Sequence, residues 1–142
     1  MVLSHEDAND ILQNVFLKAW NNLDDFHNKS KISTWLYRIA INESLDFLRK
    51  QKNRTGVSTQ DAPSVATRLV ADDYFDGDEA EALLQEAIAK LPDVQRTVFN
   101  LRYYDEMKYS DMSKLLDTSE GALKASYHLA VKKITNFLHQ KD

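Results

Sequence analysis

"YSDMSKLLDTSEGALKAS", residues 109–126, decides the fold of this chain. It reads as a helix, a three-residue turn and a second helix. Met112, Leu115 and Leu116 take helical spacings on the first and pack it against Leu123 and Tyr127 of the second. Asp117, Thr118 and Ser119 fill the turn, and Asp117 with Glu120 resembles a capping box whose cap is Asp117. The outward side of the second helix offers Glu120, Lys124, Ser126 and His128, then Lys132 and Lys133. Lysine suits phosphates, while serine and histidine bond either a phosphate or a base edge. Two such helices make a helix-turn-helix if the second is free to enter a major groove. An ordinary helical hairpin with a solvated face has the same spacing, so this stretch alone leaves both readings open.

A formal net charge of -4 sits oddly beside a surface meant for DNA. Its distribution resolves the conflict. Residues 57–89 hold eight acids against the single base Arg68, while both ends are mildly basic. The acidity therefore belongs to the centre. The 43% of hydrophobic residues supports a packed core, and three Gly with two Pro favour long helices over a turn-rich sheet. With no Cys, disulfides and thiolate metal sites are excluded. No apolar run approaches the roughly 20 residues of a membrane span, and "MVLSHEDAND" has neither the basic start nor the apolar core of a signal peptide. A cytoplasmic protein without membrane insertion is expected.

Outward from the opening stretch the chain is all-α. Ile11, Leu12, Val15, Phe16, Ala19 and Trp20 form a broad stripe on a helix over 7–20. "NNLDDFHNKSK" breaks the pattern, and a second helix begins at Ser33 or Thr34 as cap and runs to about Lys52. Its stripe is Leu36, Ile39, Ala40, Phe47 and Leu48. Residues 55–77 read as an acidic linker, with a short helix at Val65–Val70. Helices over 78–90, from Pro92, over 110–116 and over 119–138 complete the set. Two small helical domains, 1–54 and 78–142, are therefore joined by that linker.

"KISTWLYRIAINESLDFLRKQKNR" (residues 31–54) mixes Trp35, Tyr37 and Phe47 with Arg38, Arg49, Lys50, Lys52 and Arg54. Aromatic and basic groups on one surface suit single-stranded nucleic acid, on which bases stack and phosphates pair. Aromatic core residues above a basic helix end would give the same text. Asn42, Asp46 and Arg49 recur at helical spacing on a polar face. The four histidines, at 5, 27, 128 and 139, are scattered without metal-binding spacing, and no nucleophile–base pair is visible. Neither an enzyme nor a cofactor or metal is expected.

In their order, these pieces resemble the extracytoplasmic-function (ECF) group of bacterial sigma factors in the sigma-70 family. "DANDILQNVFLKAW" (7–20) is similar to the segment that docks on the coiled coil of the polymerase β′ subunit. "KISTWLYRIAINESLDFLRKQ" (31–51) looks like the melting and −10-reading segment. "LPDVQRTVFNLRYYDEMKYSDMSKLLDTSEGALKASYHLAVKKI" (91–134) looks like the −35-reading domain. The resemblance implies that Asp10, Gln13, Asn14 and Phe16 face or support the polymerase. It puts Lys31, Ser33, Thr34 and Trp35 at the strand-opening loop, and Asn42, Asp46 and Arg49 near the −10 bases. Arg102 and Tyr109 would touch −35 phosphates, with Lys124, Ser126, His128 and Lys132 facing the −35 groove. The implied partners are core RNA polymerase, through its β′ coiled coil and β flap, promoter DNA, and an inhibitory anti-sigma factor. Asn14 stands where the family usually has an acid, and Asp117 where it has the glycine of the turn. Two arginines usual near the −35 DNA are absent. The family places one or two helices before the point where this sequence begins, so the resemblance implies that the stripes of 11–20 and 36–48 take further cover from sequence upstream, a partner or a second copy. The other functions compatible with the text are a stand-alone helix-turn-helix regulator and a helical adaptor that binds a regulatory partner without initiating transcription.

Overall fold

The computed structural model describes residues 1–26, 31–54 and 65–141, and within them every regular element is a helix. Residues 55–64 of the expected linker, part of the loop before the second helix (27–30), and the Arg54 side chain of the basic tail lie outside the described residues.

Helix α1 (His5–Asn21) starts where the Ser4 hydroxyl accepts the amide of Asp7, with Glu6 and Asp7 set against the positive end of the helix dipole. It stops at Asn22, whose side chain folds back onto the Lys18 carbonyl at 2.8 Å, and a single 3-10 turn follows at Leu23–Asp25. Helix α2 (Ile32–Arg54) lies against α1 through Ile11 and Val15, and a Lys18–Glu43 ion pair ties the two. It begins at Ile32, before the expected serine or threonine cap. The stripe expected on α1 is wider than one partner helix can cover. Only Ile11 and Val15 are buried, while Phe16 is 66% and Trp20 78% exposed.

Helix α3 (Val65–Val70) packs on α4 (Glu79–Ala89) through Ala66, Leu69 and Ala82, joined by Leu3, Phe75 and Leu83. Part of the acidic linker is thus folded onto the back half. A Cβ at Gly77 would meet the Glu81 carboxylate and stand 2.6 Å from the tip of the Phe75 ring, so a larger residue there has to displace these two side chains. Asp78 caps α4 through the Glu81 amide at 2.9 Å. The Arg96 guanidinium gathers the carbonyls of Ala89 and Leu91 at the far end of α4.

The back half has the deeper core. Helices α5 (Asp93–Tyr103), α6 (Tyr109–Leu116) and α7 (Glu120–Gln140) enclose Val98, Leu101, Met112, Leu115 and Leu123. A second cluster joins α4, α5 and α7 through Ala87, Ile88, Leu91, Phe99, Ala130 and Ile134. Burying a leucine or methionine side chain contributes about 1.5–3 kcal/mol, so these clusters fix α7 firmly and set which of its faces looks outward.

Candidate nucleic-acid interface

Three residues of the turn decide how α7 is presented. Asp117 takes the left-handed conformation (φ 52, ψ 47) and ends α6, its amide bonding back to the Ser113 carbonyl. The cap of α7 is Ser119, which accepts the Ala122 amide at 3.2 Å. The capping box expected from Asp117 therefore does not form. Asp117 points its backbone the wrong way to cap α7, and its positive φ is a conformation that a glycine would adopt at less cost.

With Leu123, Tyr127, Ala130 and Ile134 turned to the core, a rotation of about 100° per residue sends Ala125, His128 and Lys132 outward, with Lys124 on the flank. Lys124, His128 and Lys132 are exposed as the sequence requires of a groove-facing surface. Ser126 is not among them. It lies only about 60° from Leu123 on this wheel and is partly buried, on the edge nearer the core.

Arg102, Tyr109 and Lys124 come from three helices and meet at one end of the motif. The Tyr109 ring has the Arg102 guanidinium 4.8 Å from its centre and the Lys124 ammonium at 5.7 Å. Arg102 also donates to the Met107 carbonyl at 3.1 Å, which holds the α5–α6 loop. Lys108, exposed at the N-cap of α6, was not among the expected residues. Its signal was a lysine standing where Ser, Thr, Asp or Asn usually caps, which leaves the first amides of α6 without a side-chain partner.

On the front half, Asp10, Gln13, Asn14 and Phe16 are all exposed on α1, beside the equally exposed Leu12, Leu17 and Trp20. Lys31 and Ser33 are exposed at the start of α2, with Thr34 and Trp35 half-buried. Trp35 tilts against Phe26, ring centres 5.2 Å apart, so at least one face of the indole is committed to packing. Asn42 is exposed one turn before Asp46, and Asp46 and Arg49 pair at 3.3 Å. Glu43 raises the pKa of the Lys18 ammonium above its ordinary value. Burial, helped by Asp105, raises that of Tyr37. Among the described residues no group of His, Cys, Asp and Glu is placed to hold a metal ion, and no helix is long and apolar enough to cross a membrane.

Comparison with known proteins gives the arrangement a context. Residues 1–54 match the family model for sigma-70 region 2, and residues 81–134 that for sigma-70 region 4. The ECF RNA polymerase sigma factor SigW of Bacillus subtilis is 35% identical over 131 residues, covering 86% of this chain and 70% of that protein. RNA polymerase sigma factor SigV of the same organism is 28% identical, with 99% of this chain and 81% of that protein covered. The ECF RNA polymerase sigma-E factor of Escherichia coli is 28% identical, with 92% and 73% covered. The sigma factor RpoE of Bartonella quintana, solved in complex with the anti-sigma factor NepR, shares the fold at a TM-score of 0.70 and 23% identity, over 97% of this chain and 84% of that one.

Proposed function

The chain belongs to the extracytoplasmic-function group of sigma-70 factors, transcription initiation factors that direct RNA polymerase to promoters, and from that premise we propose how its parts divide the work. Residues 1–54 bind core polymerase and capture the opened −10 strand, residues 55–77 connect, and residues 78–142 read the −35 duplex. Asp10, Gln13, Asn14 and Phe16 take the β′ coiled coil, and the back domain takes the β flap. Lys31, Ser33, Thr34 and Trp35 lie where the strands part, with Asn42, Asp46 and Arg49 beside the −10 bases. Arg102, Lys124 and Lys132 contact −35 phosphates, with His128 at the base edges. Tyr109 joins them through its ring and hydroxyl, and Ser126 contacts only the edge of the groove.

The observation that best supports this division is the meeting of Arg102, Tyr109 and Lys124 at the mouth of the helix-turn-helix. Each half on its own holds DNA weakly. Carried together by polymerase, the second contact becomes intramolecular, and linkage of this kind raises avidity by about 10²–10⁴. Melting follows from differential binding, because capture of unpaired bases favours the open strand. No covalent step falls to this chain. It works in the cytoplasm, and an anti-sigma factor, the kind of protein bound to the Bartonella structure, is its inhibitory partner.

Run-off transcription with core bacterial polymerase and a genomic promoter library tests the proposal. Discrete new transcripts that vanish with Lys124→Glu are the expected result. Absence of transcripts, together with failure to co-elute with core enzyme, would overturn it.

A further inference from the structure

Between its flanking cations, helix α7 turns an apolar row to the outside. Leu123, Tyr127, Ala130 and Ile134 fix the direction of the core. Opposite them, within about 50° of straight outward, stand Gly121, Ala125, His128, Leu129 and Lys132, all of them exposed. Gly121, Ala125 and Leu129 are four residues apart, so they follow one another along this face over about 12 Å, at 1.5 Å per residue.

Packing within the protein does not account for the row. Leu129 is 47% exposed, although its neighbour Ala130 is in the core. A Cβ added at Gly121 would meet nothing within 4 Å, and no glycine here takes a positive φ. Glycine weakens a helix relative to alanine, so the bare backbone at Gly121 gains its use when another surface comes close to it.

Charge says what that surface is. After Glu120, helix α7 holds no acid. Lys124 and His128 flank the row on one side, Lys124 next to the Tyr109 ring and Arg102, and Lys132 lies beyond Ala125 along the helix. Cations around an apolar strip match a major groove, whose walls carry phosphates and whose floor offers one apolar group, the thymine 5-methyl. The side chains that bond base edges in pairs are Arg, Lys, Asn and Gln, and from Gly121 to Leu129 only Lys124, on the flank, is of these types.

We propose that Gly121, Ala125 and Leu129 form an apolar reading row that selects thymine in the −35 duplex. Gly121 admits the DNA close to the backbone of α7, and the Ala125 and Leu129 side chains each cover one thymine methyl. These two residues lie about 6 Å apart along the helix, which matches thymines about two base steps apart at 3.4 Å per step. The row rests on the assignment of α7 to the −35 duplex above and names the base that this site prefers.

Selection of randomised duplexes by the full chain at low salt, followed by anisotropy titration of the preferred duplex, tests it. Two thymines about two steps apart are expected. Replacing either with deoxyuridine, which removes only the methyl, should weaken binding about threefold to fivefold, the effect of losing one buried methyl. Leu129→Ala should erase the difference between thymine and uracil at one position, and Ala125→Gly at the other. Leu129→Arg should turn the first preference toward guanine, which a guanidinium reads at O6 and N7. Gly121→Ala should hold or raise the Tm and still weaken the duplex, since the new methyl meets DNA and not protein. Equal binding of the duplex with uracil at both positions would overturn the row, as would discrimination unchanged in both Leu129→Ala and Ala125→Gly. If Lys124→Glu still abolishes binding in that case, α7 remains the reader and only the row falls. Absence of any preferred sequence, or a preference untouched by Lys124→Glu, would overturn the assignment of α7 and the row with it.

Discussion

The ring of Tyr109 has two cations close to it, and that changes what the residue is for. A tyrosine that only touches phosphate acts through its hydroxyl, whereas one that steadies Arg102 and Lys124 acts through its ring. An exposed cation–π contact is worth about 0.5–1 kcal/mol. Tyr109→Phe should therefore cost less than about twofold in affinity for duplex DNA, and Tyr109→Leu about fivefold to tenfold, read by fluorescence anisotropy. Equal losses in the two variants would return the role to the hydroxyl. Tyr37 and Tyr104 make a second prediction. Burial raises both phenol pKa values, with Asp105 adding to the first, and Tyr103 and Glu81 to the second against a hydrogen bond from Gln85. A raised folded pKa favours the neutral form, so any stability they add is present below pH about 10 and is lost as pH climbs through the folded values. In an ultraviolet titration, Tyr37→Phe and Tyr104→Phe should each remove part of the late phenolate rise.

Helix termini carry the next set of consequences. Ser119 caps α7 and Asp117 ends α6 in the left-handed region, so the two residues fail in different ways when replaced. Ser119→Ala removes the acceptor for the Ala122 amide and should cost about 1 kcal/mol. Asp117→Gly relieves the positive φ and should stabilise by a few tenths of a kcal/mol or more. Thermal melts of the two single variants, moving in opposite directions, check the assignment. Both residues are good caps by type, and Asp117 three positions before Glu120 is a persuasive pair on paper. Only backbone direction separates them, and no residue pattern encodes it. The helices themselves were legible, because Val98, Leu101, Met112, Leu115 and Leu123 keep helical spacing within each element. The α1 stripe was legible as well, but how much of it is covered depends on what packs beside it, and only Ile11 and Val15 meet α2 closely enough to be buried. Amide exchange should accordingly be faster in α1 and α2 than in α5 and α7, since local opening follows the density of buried apolar contact.

Over the whole molecule, charge and contact are organised at distances that no local motif reports. Arg38 was visible as one base among several in an aromatic helix. Its bonds to Lys114 and Leu115 join residues 76 and 77 positions apart, and nothing in the spacing of either segment announces them. The placement of charge, in contrast, was readable from the sequence: eight acids between 57 and 89, bases toward both ends. The structure then brings Arg102 and Lys124 together around Tyr109 and leaves Lys108 at the N-cap of α6 and Lys132 on α7 exposed. Four phosphate contacts would release counterions with a slope of about −3.6 in log K against log salt, at about −0.9 for each contact. Binding of the free chain to a mixed-sequence duplex, measured from low to moderate salt, should give a slope near that value despite the net charge of -4. Lys124→Glu and Lys132→Glu should each flatten it by about one unit. A slope indifferent to both would move the DNA surface off α7. A slope that falls with them while transcription also fails would tie the two functions to one face, because the charges near the phosphates, and not the net charge of the chain, set the slope.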